Sequence, residues 1–355
     1  MERKNAWAAY AGDDGRVEAF AKAYCDFINN GKTERECVAY GEKLAKAHGF
    51  EDLNAVVRSG RKLEAGARVY ANWMGKSFML FVLGETPLEE GMNILGAHID
   101  SPRIDVKQNP LYEDTDLAYL DTHYYGGIKK YQWVAIPLAL HGVIVRKTGE
   151  KVIINIGEDE NDPVFCISDL LVHLAQEQMT KNAKEVVEGE ALNLIVGGRP
   201  LEGEEKDAVK ANVLKLLADK YGVEEEDFLS AELEIVPAGK ARDMGFDRSM
   251  ILAYGHDDRV CAYPSMMAVL DYEGTPEYTL CCIVTDKEEI GSVGATGMAS
   301  HYLENTVAEL YACTADYCEL AVRRCLRNSR MLSSDVSAGY DPNFASAFEK
   351  KNSAF

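Results

Sequence analysis

The stretch Tyr278–Met298, YTLCCIVTDKEEIGSVGATGM, decides the fold class. An apolar run typical of a buried strand ends at Asp286, and two adjacent glutamates, Glu288 and Glu289, precede a glycine-rich turn. In open α/β sheets, ligands bind at the carboxyl ends of the strands. A helical pattern follows the turn, so we predict an α/β layer protein with a parallel or mixed sheet and a site that includes this turn.

The pattern of predicted helices and strands divides the chain into two domains. Residues 13–48 show helical spacing with Thr33 as an N-cap, and NILGAHID and SMILAYG are further strands of the α/β layer. Between residues 102 and 246, short strands alternate with polar turns and one helix. We therefore predict one α/β domain formed by residues 1–101 and 247–355, and a smaller β-rich inserted domain formed by residues 102–246.

Composition excludes several classes of partner. Among 355 residues, 58 acids outnumber 38 bases, and the net charge of -20 argues against nucleic acid and anionic membranes. No apolar run reaches the ~20 residues of a membrane span, and the N-terminal segment lacks the apolar core of a secretory signal. Nine scattered cysteines without a C-x-x-C pair are typical of reduced thiols, so we expect a cytoplasmic protein.

Four clusters of acids and histidines carry the chemistry: LGAHIDSPR, YGHDDRVCAY, TDKEEIGS and LSSDVSAGYDPN. In an extended strand, His98 and Asp100 point to the same face and can address one site. Histidine and carboxylate ligands suit Zn²⁺, and two ions ~3.5–4 Å apart usually share a carboxylate and activate a water between them. Neighbouring side chains diverge in a turn, so one of Glu288 and Glu289 can bind metal while the other takes the proton of that water.

Each cluster alone has an ordinary alternative. The pair Glu288–Glu289 also fits an acidic surface loop, and His256 fits either a ligand or an N-terminal helix residue beside the site. Because His123, His141 and His301 have no acidic neighbours at a strand end, we expect them at the surface or in packing.

Taken together, GAHIDSPRID, YGHDDRVCAY, DKEEIGSVGATG and SSDVSAGYDPNF resemble, in order and spacing, the aspartyl aminopeptidase family of dinuclear metallo-aminopeptidases. Two segments of the insert, HYYGGIKKYQWVAIPLALHGVIV and GKARDMGFDRSMI, are similar to that family's second domain. The resemblance implies a zinc-aminopeptidase-like α/β/α sandwich with a smaller β-rich inserted domain. Residues 1–101 and 247–355 would form the catalytic metallopeptidase domain, and residues 102–246 an inserted domain for dimerisation or regulation. The resemblance also implies four metal ligands on this chain: His98, Asp257, Glu289 and Asp335.

The same resemblance implies roles for the neighbouring residues. Asp257 matches the carboxylate that bridges two metal ions, Asp100 matches the acid that orients the imidazole of His98, and Glu288 matches the general base. His173, in LLVHLA, matches a histidine that the insert offers to a neighbouring subunit's active site. The two divalent ions implied are zinc, and cobalt or manganese tolerate the same ligands.

The activity implied is removal of an N-terminal residue, Asp or Glu by the family's preference, from peptides with a free N-terminus. The family also implies a homo-oligomer, a dodecamer. A deacylase or carboxypeptidase of the same clan is one alternative, and a non-catalytic assembly subunit is another. The family carries a last metal-binding histidine downstream of the Asp335 motif, and no histidine follows His301 here. We therefore expect a C-terminally incomplete catalytic domain that holds its second ion weakly and is a poor catalyst by itself.

Overall fold

The structure is a computed structural model and describes residues 5–354. The chain divides into two compact units: the described residues within Met1–Asp100 and Gly255–Phe355 form unit 1, and Ser101–Tyr254 form unit 2. That unit 1 is a catalytic domain and unit 2 an inserted domain stays a prediction.

The described residues form eight α-helices and fourteen β-strands. The helices are α1 (Ala6–Ala9), α2 (Asp14–Asn30), α3 (Glu34–Ala47), α4 (Leu53–Ser59), α5 (Ala208–Tyr221), α6 (His256–Leu270), α7 (Tyr302–Thr314) and α8 (Glu319–Asn328). The strands are β1 (Glu51–Asp52), β2 (Arg68–Trp73), β3 (Ser77–Val82), β4 (Met92–His98), β5 (Arg103–Asp114), β6 (Leu117–Tyr125), β7 (Leu138–Val145), β8 (Lys151–Ile156), β9 (Leu194–Gly197), β10 (Ala231–Pro237), β11 (Arg242–Met244), β12 (Met250–Leu252), β13 (Thr279–Thr285) and β14 (Arg330–Ser333).

Unit 1 is built on a mixed sheet of six strands in the order β1-β2-β3-β13-β4-β14. Strand β13 pairs parallel with β4 and antiparallel with β3, and β14 pairs parallel with β4. Side chains alternate between the two faces of a strand. In β3, Met79 and Phe81 therefore pack with α4, α7 and α8, whereas Phe78 and Leu80 face the side where α3 and α6 pack. Helices cover both faces of the sheet, and the predicted α/β class is confirmed.

The predicted helical segment 13–48 consists of α2 and α3. Thr33 caps α3: its hydroxyl accepts the backbone N–H of Glu36, whose carboxylate accepts the backbone N–H of Thr33 in return. This reciprocal capping box satisfies two of the donors that a helix start leaves unpaired. The predicted N-cap is confirmed.

Unit 2 contains an antiparallel sheet of six strands in the order β8-β7-β10-β5-β6-β9, with α5 packed on its apolar core. The prediction that the strand in SMILAYG belongs to the sheet of the α/β layer is wrong, because β12 pairs with β11 in a separate two-stranded sheet. Gly245 and Arg248 have φ angles of 91° and 56°, which reverse the chain between the two strands. Strands β11 and β12 are therefore neighbours in sequence that pair antiparallel, as in a hairpin.

In the part of the chain that the structure describes, every helix is too short or too polar to span a lipid bilayer. All nine cysteines are free thiols.

Candidate metal centre

Three neighbouring strands of unit 1 end at the same edge of the sheet. Because β13, β4 and β14 run in one direction, their carboxyl ends at Thr285, His98 and Ser333 lie side by side. Three of the four acidic motifs continue from these ends, and the fourth begins α6, which packs on β4 and β13. The topology therefore brings four segments that are distant in sequence to one place.

The imidazole of His98 lies at the centre of the resulting cluster. Its side chain is 4% exposed, and its Nε2 atom lies 3.3 Å from Asp257 Oδ1, 3.8 Å from Glu288 Oε2 and 4.0 Å from Asp335 Oδ1. One ligand atom each of His98, Asp257 and Glu289 lie within 4.8 Å of one another. The structure thus brings together the four residues expected as metal ligands and the one expected as general base; their roles stay predictions.

Asp100 is fully buried and contacts three other groups of the cluster. Its Oδ1 lies 3.2 Å from His98 Nδ1 and accepts the backbone N–H of Glu288 at 3.2 Å, while its Oδ2 accepts the backbone N–H of Glu289 at 3.2 Å. An acceptor at Nδ1 favours the tautomer whose Nε2 is available as a ligand. Asp100 therefore contacts both the imidazole and the start of the glutamate turn, and the orienting role expected for it stays a prediction.

Asp258 belongs to the cluster, although only its neighbour Asp257 was predicted from the sequence. The peptide bond between the two is cis, and the Asp258 carboxylate is fully buried and accepts the backbone N–H of His98 at 3.4 Å. His98, Asp258 and Asp335 form a second group with ligand atoms within 4.8 Å of one another. The adjacent acids of HDDR were the available signal, but a residue pattern does not tell which acid turns inward.

Burial and charge shift the protonation of the central groups. Burial lowers the pKa of His98, but the hydrogen bond and charge of Asp100 together with the charge of Asp258 outweigh it and raise this pKa to about 9. Burial and then the charge of Asp257 raise the pKa of Glu289 to about 7, and burial raises that of Asp258 to about 6. Crowded, partly desolvated carboxylates of this kind are typical of functional sites, and a bound cation relieves their repulsion.

The donor set fits a divalent cation. An imidazole with several carboxylates is the kind of ligand set that Zn²⁺ takes in catalytic sites. The Oε1 atom of Glu289 is buried and accepts no hydrogen bond from any residue that the structure describes. Such buried, unsatisfied oxygens are rare in native proteins, and an ion is one explanation for them. The chemistry of the donors and the unsatisfied oxygen therefore both indicate a metal site.

The remaining histidines have different surroundings. In unit 1, His256 Nδ1 lies 2.7 Å from the hydroxyl of Tyr24, and His301 is 85% exposed. In unit 2, His141 is buried and His173 is exposed in the segment between β8 and β9. The role expected for His173 stays a prediction.

Comparison with known proteins gives a consistent result. The profile of the family described as Aminopeptidase I zinc metalloprotease (M18) matches residues 27–355. A probable M18 family aminopeptidase 1 of Clostridium acetobutylicum is 56% identical, over 100% of this chain and 76% of the relative. The crystal structure of an M18 family aminopeptidase from Thermotoga maritima is similar with a TM-score of 0.92 and 42% identity, over 100% of this chain and 76% of that one. Aminopeptidase I from Clostridium acetobutylicum has a TM-score of 0.90 at 52% identity, over 100% of this chain and 77% of that one.

Proposed function

Because this chain belongs to the M18 family of aminopeptidase I zinc metalloproteases and is a metal-dependent aminopeptidase, we propose that the cluster around His98 is its catalytic centre. The observation that supports the proposal is the approach of three carboxylates, those of Asp257, Glu288 and Asp335, to within 3.3, 3.8 and 4.0 Å of one imidazole nitrogen. The reaction is hydrolysis of the peptide bond that follows the N-terminal residue.

The metal ligands that we propose are His98, Asp257, Glu289 and Asp335. A divalent ion held there supplies, when bound, a lowered pKa for the attacking water and polarisation of the scissile carbonyl. His98 has one nitrogen, Nε2, beside these carboxylates, because its Nδ1 faces Asp100. By the family resemblance, His98, Asp257 and Asp335 would hold one ion, and Asp257 and Glu289 would hold a second. We propose zinc for both, although cobalt and manganese take the same donors.

Glu288 is the proposed general base. Its side chain is 47% exposed and so reaches solvent and substrate, while its backbone N–H is held by Asp100. A carboxylate in this position accepts the proton of the attacking water and delivers it to the leaving amine, a contribution of roughly 10²–10⁴-fold in rate. Glu289 has a buried Oε1 instead, which suits a ligand rather than a proton carrier.

The proposed substrate is a peptide with a free N-terminus. The side chains of Asp257, Glu288 and Asp335 are 53%, 47% and 56% exposed, so a protonated α-amine can approach this negatively charged cluster from solvent. A charge-assisted contact of this kind is lost when the amine is acylated. We propose a preference for acidic N-terminal residues, which rests on the family resemblance.

We also propose that the protein works as a homo-oligomer in which His173 reaches a neighbouring copy's active site. Around His173, the side chains of Leu171, Val172 and Leu174 are 55%, 69% and 67% exposed. Contiguous exposed apolar side chains mark interaction surfaces. Light scattering of the wild type and of Val172→Asp tests the assembly; an unchanged molar mass in the variant would contradict this use of the segment.

Hydrolysis of aminoacyl 4-nitroanilides by the zinc-loaded full chain tests the proposed function. We expect the substrates Asp- and Glu-nitroanilide to be cleaved faster than Leu-nitroanilide, and N-acetyl-Asp-nitroanilide not to be cleaved. Chelation with EDTA should abolish turnover, and added zinc should restore it. Retention of both zinc and turnover in His98→Ala would show that the catalytic centre lies elsewhere.

A further inference from the structure

A buried group of charges lies behind the turn that carries Glu288 and Glu289. Lys76, between β2 and β3, is 5% exposed, and its Nζ atom lies 2.7 Å from Glu34 Oε1 and 3.6 Å from Asp286 Oδ2. Both carboxylates are fully buried. Charged side chains are almost never buried this completely unless they are paired. None of these three residues takes part in the chemistry proposed above, so their burial requires another explanation.

The turn runs from Asp286 to Thr296, and Asp286 directly follows β13. Its Oδ2 accepts the hydroxyl of Thr296 at 2.6 Å, and its backbone N–H donates to Ser77 Oγ at 3.2 Å. The hydroxyl of Ser77 in turn donates to the carbonyl of Thr296 at 2.5 Å. The two ends of the turn are therefore tied to each other and to the start of β3, next to Lys76.

The backbone of the turn needs such anchors. Lys287 and Ser292 have φ angles of 69° and 60°, in the left-handed region that is costly for residues other than glycine. On the side of the metal centre, Asp100 holds the turn through the N–H groups of Glu288 and Glu289. On the buried side, the contacts of Asp286 hold it.

We propose that Lys76 is a positioning residue for the reaction: through Asp286 it fixes the turn so that Glu288 and Glu289 meet the metal centre. The inference rests on the proposed roles of these two glutamates. Lys76 does not touch the reacting atoms. Its ammonium lies between two buried carboxylates, and Glu34, in the first turn of α3, holds it on the side opposite to Asp286.

Lys76→Met in the full chain is the first test. We expect its Zn²⁺ affinity, measured by competition with a chromogenic chelator, to fall about 10- to 100-fold, as is typical when a group behind the metal ligands is lost. The turnover number kcat should fall by a similar factor with KM little changed, and the absorption spectrum of the Co²⁺-substituted protein should change. Lys76→Arg keeps the charge and should restore most of the affinity. Lys46→Met, which removes an exposed lysine paired with Glu42 at 2.6 Å, is the matched control and should change nothing.

Breaking a buried ion pair can prevent folding, so Asp286→Asn and the double variant Lys76→Met/Asp286→Asn extend the test. If Lys76 acts through Asp286, the zinc affinity of the double variant is no lower than that of whichever single variant binds zinc less tightly. The proposal is overturned if the losses of zinc affinity in the two single variants add up in the double variant, or if Lys76→Arg does not restore the affinity. It is also overturned if a folded variant without the pair keeps the zinc affinity and kcat of the wild type. Wild-type turnover in Glu288→Gln would instead overturn the proposed base and leave the zinc result standing.

Discussion

Replacing each glutamate of the adjacent pair by glutamine separates two roles. Glutamine keeps the shape of the side chain but cannot accept the water's proton and is a poor zinc ligand. For Glu288→Gln we expect kcat to fall roughly 10²–10⁴-fold, the usual contribution of a general base, which corresponds to about 3–5 kcal/mol in the barrier. Zinc affinity should stay nearly unchanged, because Glu288 is not among the four proposed ligands and its half-exposed side chain keeps its shape as glutamine.

Glu289→Gln should act on the metal instead. Its Oε1 is buried and accepts no hydrogen bond from any described residue, so an amide at this position offers a buried polar group without the negative charge that a cation needs. We expect zinc affinity to fall at least about 10-fold, by comparison with the loss of groups that merely support ligands. Part of the lost turnover should return at saturating zinc.

Zinc titration by calorimetry and kcat at saturating zinc are the two measurements. Glu304→Gln is the matched control, because Glu304 lies in α7 of the same unit and its side chain is also 47% exposed. It should behave as the wild type in both measurements. The division of roles is refuted if the two variants of the pair lose zinc equally, or if Glu288→Gln turns over at the wild-type rate.

Two further predictions concern stability. Zinc at 100 times its Kd should stabilise the folded state by ~2.7 kcal/mol, seen as a thermal midpoint that rises with zinc, returns with EDTA and does not respond in His98→Ala. Gly84→Ala should destabilise by ~1–3 kcal/mol, because the new Cβ would lie 2.5 Å from the backbone N of Thr279. Gly15→Ala, at the exposed start of α2 with no atom within 4 Å of the new Cβ, should instead stabilise by ~0.5–1 kcal/mol. Thermal midpoints that moved in the same direction would contradict this pair of predictions.

Local patterns were sufficient to predict the α/β class and the four motifs that form the cluster, while the individual ligands were implied by the family resemblance. The apolar runs that end at His98 and Thr285 form parallel neighbours of one sheet, so acids just beyond them had to meet at one edge. Asp335 follows β14, which pairs parallel with β4, and Asp257 is the second residue of α6, which packs on β4 and β13. The strand ends carry this information because strand direction and side-chain alternation are fixed by the backbone.

Other features depend on pairings that no local pattern contains. Lys76, Glu34 and Asp286 resemble solvated surface charges in the sequence, and only the folded chain buries them against one another. By composition, β12 fits a sheet of the α/β layer, but a turn a few residues before it places it beside β11, with which it pairs. Asp258 was missed for a related reason, since the direction of its side chain depends on the backbone at the start of α6.

The negative charge of the cluster favours the binding of both a metal cation and a protonated N-terminal amine. Six carboxylates surround the single imidazole of His98, namely those of Asp100, Asp257, Asp258, Glu288, Glu289 and Asp335. The backbone N–H groups that donate to Asp100 offset part of this charge, but burial and then the charge of Asp257 still raise the pKa of Glu289 to about 7. One divalent ion would offset a third of the six charges and two ions would offset two thirds, so the proposed pair of ions would stabilise the ionised carboxylates better than a single ion. The negative charge that remains is complementary to the protonated amine of a peptide's N-terminus, which a substrate with an acylated amine does not offer.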